Sequence, residues 1–226
     1  MEYKIYHYDV IDSTNSEAER ILKSYTSTDP FVVIADYQTA GRGQGKHLWS
    51  SNKSENLTLS VCLFPGIDSS RQFYITAMTS VSIMQTVASF IGDANMVKIK
   101  WINDVYVNDD KIAGILISNN VMSEKIKSSI IGIGLNVNQT IFDENIPNPT
   151  SLKRHLGNDV QVSDVFEVLM ENIRQNYLIM QRTPEALRKM YVDNLYKFNV
   201  LHTYTIAGER KAVAIKGVDV YGDIIY

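Results

Sequence analysis

Cysteine is almost missing from this sequence. Of 226 residues only Cys62 carries a thiol, so no internal disulfide can form. Its apolar setting, NLTLSVCLF, marks a buried thiol in a reducing compartment. Excess charge is missing too: 22 Lys+Arg against 25 Asp+Glu leave a net charge of −3. That balance offers no global field for nucleic acid and makes any phosphate recognition local. No His/Cys cluster argues for a structural metal, and His47 and His155 read as loop residues. No apolar run nears the ~20 residues of a membrane-spanning helix. The opening MEYKIYHYDVIDS also lacks the basic-then-apolar pattern of a signal peptide. A soluble cytoplasmic protein with no membrane partner is expected. Repeats, low-complexity tracts and long charge runs are absent as well. What the chain does have is 45% hydrophobic content, enough for one large domain or one domain with a small appendage.

Periodicity sketches an α+β fold. Tyr3–Ile11 reads as a strand. Asp12–Glu17 then opens a helix, with Thr14 and Glu17 at capping-box spacing and Ala18, Ile21, Leu22 and Tyr25 on one face. Strands follow at Phe31–Tyr37 and Leu57–Leu63, and an amphipathic helix spans Arg71–Ile91. Val97–Trp101 is a strand, VYV and KIAGILIS flank Asn108-Asp109-Asp110 as a hairpin, and Lys127–Asn136 is a further strand. Val162–Met180 and Pro184–Tyr196 read as helices. Short β-rich pieces (LHTYTI, RKAVAIKG, DIIY) return after residue 197 as a small β appendage.

The loop Gly41–Trp49, GRGQGKHLW, stands out. Its glycines permit close backbone approach, and Arg42 and Lys46 add positive charge, which suits an anionic, phosphate-bearing ligand. A plain turn between strands is the competing reading. It is not a Walker-A loop: Ala40 takes the first glycine position, His47 the Ser/Thr position, and a strand follows instead of a helix. The dinucleotide spacing GxGxxG is not met either.

Four more segments accompany the loop: DSTN at 12–15, KWIND at 100–104, KIAGIL at 111–116 and GIGLNVN at 132–138. Together with YQTAGRGQGKHLW, their order and spacing resemble the biotin protein ligases, whose usual forms are STN, QxxGRGRxGRxW, KWPND, KLAGIL and GxGxN. The resemblance runs almost from the first residue to about 196. It implies a class II aminoacyl-tRNA-synthetase-like (biotin/lipoate ligase) catalytic domain over 1–196, with a mixed sheet and flanking helices. Residues 197–226 would then be part of a small SH3-like β-barrel. It also implies ATP-dependent activation of biotin to biotinyl-5′-AMP, followed by transfer to a lysine of a biotin carboxyl carrier domain. Bringing a carboxylate to an anionic phosphate demands cations in a water-poor site.

By the same resemblance, Arg42 contacts the biotin carboxylate and the adenylate phosphate, and Lys111 sits beside the carboxylate and bridging oxygen. Lys100 pairs with phosphate or with Asp104. These three are the catalytic candidates. Ser13, Thr14, Gln38, Gly41, Arg42, Lys111 and Gly114 are the biotin-site candidates. Nucleotide candidates are Arg42, Gln44, Lys46, Trp49, Lys100, Asn103, Asp104 and Asn136, with Asp104 and Asn136 as oxygen donors to the Mg²⁺ that accompanies ATP. Each has a plainer reading. Lys111 could be a solvated lysine after a turn, Lys100 a strand-end lysine, Thr14 a helix cap, Asn136 a turn residue, and Trp49 a core anchor or a nucleotide shield. The glycine loop is expected to act as a lid that keeps water from a hydrolysable acyl-adenylate.

Two departures carry consequences. Gln44 stands where the family often has arginine, so weaker retention of the adenylate is expected. Ile102 replaces the proline of KWPND, which bears on the loop's rigidity more than its chemistry. DSTN begins at residue 12, which leaves no room for an N-terminal DNA-binding domain, so no DNA partner is expected. The oligomer is a monomer or a homodimer. The rival readings are a lipoate or octanoate ligase or transferase of related fold, and a catalytically silent biotin or adenylate sensor.

Overall fold

A computed structural model of the chain describes residues 2–45, 48–206 and 208–226. A seven-stranded mixed sheet organises it, in the order β1-β2-β3-β7-β6-β5-β4. The strands are β1 (Lys4–Tyr8), β2 (Phe31–Ala35), β3 (Leu57–Leu63), β4 (Val97–Lys100), β5 (Asp104–Val107), β6 (Asp110–Met122) and β7 (Lys125–Leu135). Only β1 and β2 run parallel; every other pair is antiparallel.

Strand alternation divides the residues between two faces. In β7 the odd positions Ile131, Ile133 and Leu135 join Leu57, Leu59 and Val61 of β3 in the main core. That face is covered by α2 (Phe73–Ile91), α4 (Val162–Arg182) and α5 (Pro184–Asp193). The other face packs α1 (Thr14–Leu22), where Ala18 meets Phe31, Val33, Cys62 and Ile130, with Ile21, Leu22 and Tyr25 alongside as the periodicity implies.

Helix α2 corrects one expectation. By length and composition alone, Ser69–Ile91 is long and apolar enough to cross a membrane, and 67% of its apolar window is buried within the fold. Hydroxyl residues interrupt its apolar run in the sequence. Thr79, Ser82 and Thr86 each donate to the carbonyl four residues back, at 2.8, 2.7 and 2.8 Å, so these side chains are buried without an unmet donor.

Other differences are local. The capping box at α1 does not form. Ser13 is the N-cap and makes no side-chain cap bond, while Glu17 accepts from Tyr8 and pairs with Arg20. A short helix, α3 (Leu152–Leu156), escaped the sequence reading; it is capped by the Ser151 hydroxyl and ended by Gly157 at φ +77°. Strand ends are shorter than the sequence implied, β1 stopping at Tyr8 and β2 at Ala35. The C-terminal residues form two two-stranded pieces, β8 (Leu201–Ile206) with β9 (Glu209–Ala214) and β10 (Gly217–Val218) with β11 (Ile224–Ile225). Neither closes a barrel. Ile215 and Val218 are buried in the main core.

Candidate functional site

Backbone register builds the site on the α1 side of the sheet. Lys100, Asp104, Gly114, Gly134 and Thr58 form one transverse row across β4, β5, β6, β7 and β3. Leu116, Gly132 and Ser60 form the next row. Three glycines at the centre remove side chains from the middle of the face: Trp49 lies over Gly114 and Gly134, Asn15 fills the place beside Gly132, and Gly114 and Gly132 line a cavity of about 880 Å³. Ser13, Thr14, Gln38, Arg42, Gln44, Trp49, Lys100, Asn103, Asp104, Lys111, Gly114 and Asn136 all line it. These twelve came from separate segments of the chain, and the fold brings them to one place.

One end of the cavity is polar and uncharged. Gln38 Oε1 accepts from the Thr14 amide (2.7 Å) and hydroxyl (3.1 Å). The Ser60 hydroxyl donates to Asn15 Oδ1 and lies 2.8 Å from Thr14 Oγ1. Ser13, Thr14 and Asn15 are buried at the start of α1, where the Ser13 amide donates to Asp12 Oδ1 at 2.8 Å. Thr14 is therefore held by Gln38 and Ser60 and does not act as a cap.

The other end is charged. Lys111 Nζ lies 2.7 Å from Asp104 Oδ1, with side chains 28% and 21% exposed. Lys100 does not pair with Asp104, as the sequence allowed. It donates to the Tyr106 hydroxyl at 2.8 Å and lies over that ring. A bulge between Val105 and Tyr106 shifts the register of β5 on β6, and Tyr106 pairs with Lys111 across the strands. Asn103 is held by its neighbours, its Nδ2 donating to the Ile115 carbonyl at 2.6 Å and its carbonyl accepting from the Ile115 amide. Asn136 is only 4% exposed. Its Nδ2 donates to the Thr150 carbonyl at 2.9 Å, whereas its Oδ1 is buried with no hydrogen-bond partner among the described residues. An orphaned oxygen on a cavity wall is costly unless a ligand, ion or water meets it. Among the described residues no cluster of three His, Cys, Asp or Glu could hold a metal. Asp104 and Asn136 are the hard oxygen donors that Mg²⁺ takes when phosphates and water complete its shell.

The glycine loop forms the mouth. Arg42 and Leu48 bridge across it, and the Trp49 amide donates to the Gly41 carbonyl at 3.0 Å. Gly41 is glycine because its own loop returns over it: a β-carbon there would stand 2.2 Å from the Trp49 carbonyl oxygen. Arg42 is half exposed and pairs with Glu19 of α1 at 3.5 Å. The Trp49 ring lies over the glycine floor, with Lys111 Nζ 5.9 Å from its centroid and its Nε1 buried without a partner among the described residues. It thus lines the cavity and is not part of the hydrophobic core. Lys46 and His47 lie outside the described residues.

Residues 8–136 match the biotin/lipoate A/B protein ligase family. The chain belongs to that family. The bifunctional ligase/repressor BirA of Bacillus subtilis is 31% identical over 179 residues, which is 78% of this chain and 54% of the relative. The Escherichia coli BirA is 27% identical over 219 residues, 96% of this chain and 67% of the relative. The chain therefore spans about half the length of the Bacillus protein. Among solved structures, the biotin protein ligase from Aquifex aeolicus in complex with biotin and ATP superimposes with a TM-score of 0.79 at 22% identity. It covers 98% of this chain and 90% of that one.

Within this biotin/lipoate ligase fold, several residues of the site escaped the sequence reading. Thr58, Ser60, Tyr106 and Phe142 were not singled out, and Asn15, Gly132 and Gly134 lay inside the DSTN and GIGLNVN motifs without being made site candidates. The alternation IIGIGL did carry a signal for the two glycines, because residues two apart in a strand share a face. Gly132 makes room for Asn15, whose Oδ1 would stand 2.3 Å from a β-carbon there.

Proposed function

We propose that the chain is an ATP-dependent biotin protein ligase. A biotin carboxylate oxygen attacks the α-phosphorus of ATP, the bond to the bridging oxygen breaks, and pyrophosphate leaves. The amine of an acceptor lysine then attacks the acyl carbon of biotinyl-5′-AMP. The amine loses a proton, an amide forms, and AMP departs. The carrying observation is the cavity's polarity: an uncharged hydrogen-bonding end and a cationic end joined by a floor of glycine backbone. A ureido ring suits the first, an apolar chain the floor, and a carboxylate meeting phosphate the second. Lys111 is placed to offset negative charge in both half-reactions, in a partly dry setting that strengthens its field. Arg42, at the mouth, reaches the anions when the glycine loop closes. Mg²⁺ enters with ATP as part of that substrate, and Asp104 with the orphaned Asn136 Oδ1 would hold it and ease phosphate repulsion.

The same reading makes a biotin carboxyl carrier domain the acceptor and has the enzyme work in the cytoplasm as a monomer or homodimer. It takes residues 1–196 as the catalytic unit and 197–226 as the appended β segment.

Biotin-dependent ATP–pyrophosphate exchange tests the proposal and is expected to be positive. Exchange with lipoate or octanoate but not biotin would move the chain to the lipoate side of its family. Tight biotin binding without exchange would make it a sensor. Lys111→Ala is expected to fold and to lose most exchange and transfer, and near-normal turnover would overturn the role of Lys111.

A further inference from the structure

Arg154 on α3 reaches back to the loop 140–149, which forms a cavity wall through Phe142, Asp143, Asn145, Ile146, Pro147 and Pro149. Its guanidinium is spent on the two ends of that loop. Nε donates to the Thr140 carbonyl at 3.1 Å and Nη2 to the same oxygen, while Nη1 donates to the Pro149 carbonyl at 2.8 Å. Its Cζ also lies 4.9 Å from the centre of the Phe142 ring. One planar fork thus ties the loop's start to its finish and backs the aromatic residue between them.

The C-terminal end of the loop in turn grips the charged residues. The Lys111 amide donates to the Asn148 carbonyl at 2.6 Å, and the Thr150 amide donates to the Lys111 carbonyl at 2.9 Å. The next carbonyl in this bracket, that of Thr150, receives Asn136 Nδ2 and so aims the orphaned Oδ1. The sequence shows none of this, because Arg154 is an exposed basic residue on a five-residue helix.

We infer that Arg154 is a positioning residue: by clasping Thr140 and Pro149 it holds the loop in place as a cavity wall, and it sets Lys111 and Asn136 for the nucleotide. The activity part of this inference rests on the ligase reading above; the clasp itself does not.

Hydrogen exchange on the whole chain tests the clasp without activity. In Arg154→Ala, the amides of Lys111, Thr150 and the loop 140–149 are expected to exchange at least tenfold faster, while those of β3 and α2 keep their rates. Unchanged exchange at Lys111 and Thr150 would overturn the inference even if the enzyme works as proposed. Kinetics then test the consequence: the KM for ATP should rise about tenfold and kcat fall several-fold, with the KM for biotin within twofold. Arg154→Lys keeps the charge but not the fork and should resemble the alanine variant. Recovery of wild-type constants by lysine would show a simple charge effect and overturn the clasp. A wild-type chain without biotin-dependent exchange would sink the ligase reading and leave the hydrogen-exchange result to decide the clasp alone.

Discussion

Gly134 has an indole where any other residue would carry its β-carbon. That atom would fall 2.1 Å from Trp49 Cε2, so even Gly134→Ala must displace the ring from the floor. Alanine is otherwise well tolerated at a strand position, so the variant should fold. If the ligase reading holds, its biotin affinity should fall at least tenfold by calorimetry, with an unchanged far-UV circular dichroism spectrum. Cys62 illustrates the opposite kind of residue. Fully buried, its thiol is pushed up to about 12 by desolvation. The native protein should therefore show no reaction with an aromatic disulfide reagent at pH 8, and one equivalent should react after unfolding. Rapid labelling of the native chain would contradict the burial.

At the scale of elements, α2 and α4 are joined by a polar seam inside an otherwise apolar contact. Asn176, 1% exposed, donates to Ser82 Oγ at 2.9 Å and to Gln85 Oε1 at 2.8 Å, and Asn172 donates to Thr86 at 2.9 Å. Removing the amide strands the buried Ser82 hydroxyl and the partly buried Gln85, which costs about 1–3 kcal/mol. Asn176→Ala should lower Tm by several degrees, at ~2–4 °C per kcal/mol for a chain of this size; an unchanged Tm would show that water replaces the amide. Elements with a clear period could be read from the chain. Strand β3 appears at Leu57–Leu63 as expected, and the hairpin turns at Asn108, φ +53°. Helix α3 had too few residues to show any period. Within the site, contiguous motifs named segments that the fold brings to one cavity, but partners across strands were hidden. The Lys111–Asp104 pair and the diversion of Lys100 to Tyr106 depend on register and a bulge, which spacing along one chain does not encode.

At the scale of the whole molecule, the last residues are bound to the KWIND turn. Trp101 Nε1 donates to the Gly222 carbonyl at 2.9 Å, and Arg188 of α5 donates to the Val218 carbonyl at 2.9 Å. Gly222, at φ +97°, lies against Phe73 of α2, where a β-carbon would stand 2.6 Å from the ring. Gly222→Ala therefore meets both a steric clash and a conformation that L-residues avoid. It should destabilise the fold by about 1–3 kcal/mol, seen as a lower urea midpoint. An unaltered midpoint would mean that the C-terminal pieces detach without loss. The composition change after residue 197 is thus visible in the sequence, whereas the tether is not, because it is made by one indole and one backbone carbonyl more than a hundred positions apart.

The glycines beneath the cavity have a consequence for inhibition. The Trp49 ring and the Asn15 amide fill the places that β-carbons at 134 and 132 would take. A compound that pressed on those two side chains would meet partners whose seats tolerate no added atom, so escape mutations would have to arise on the surrounding walls.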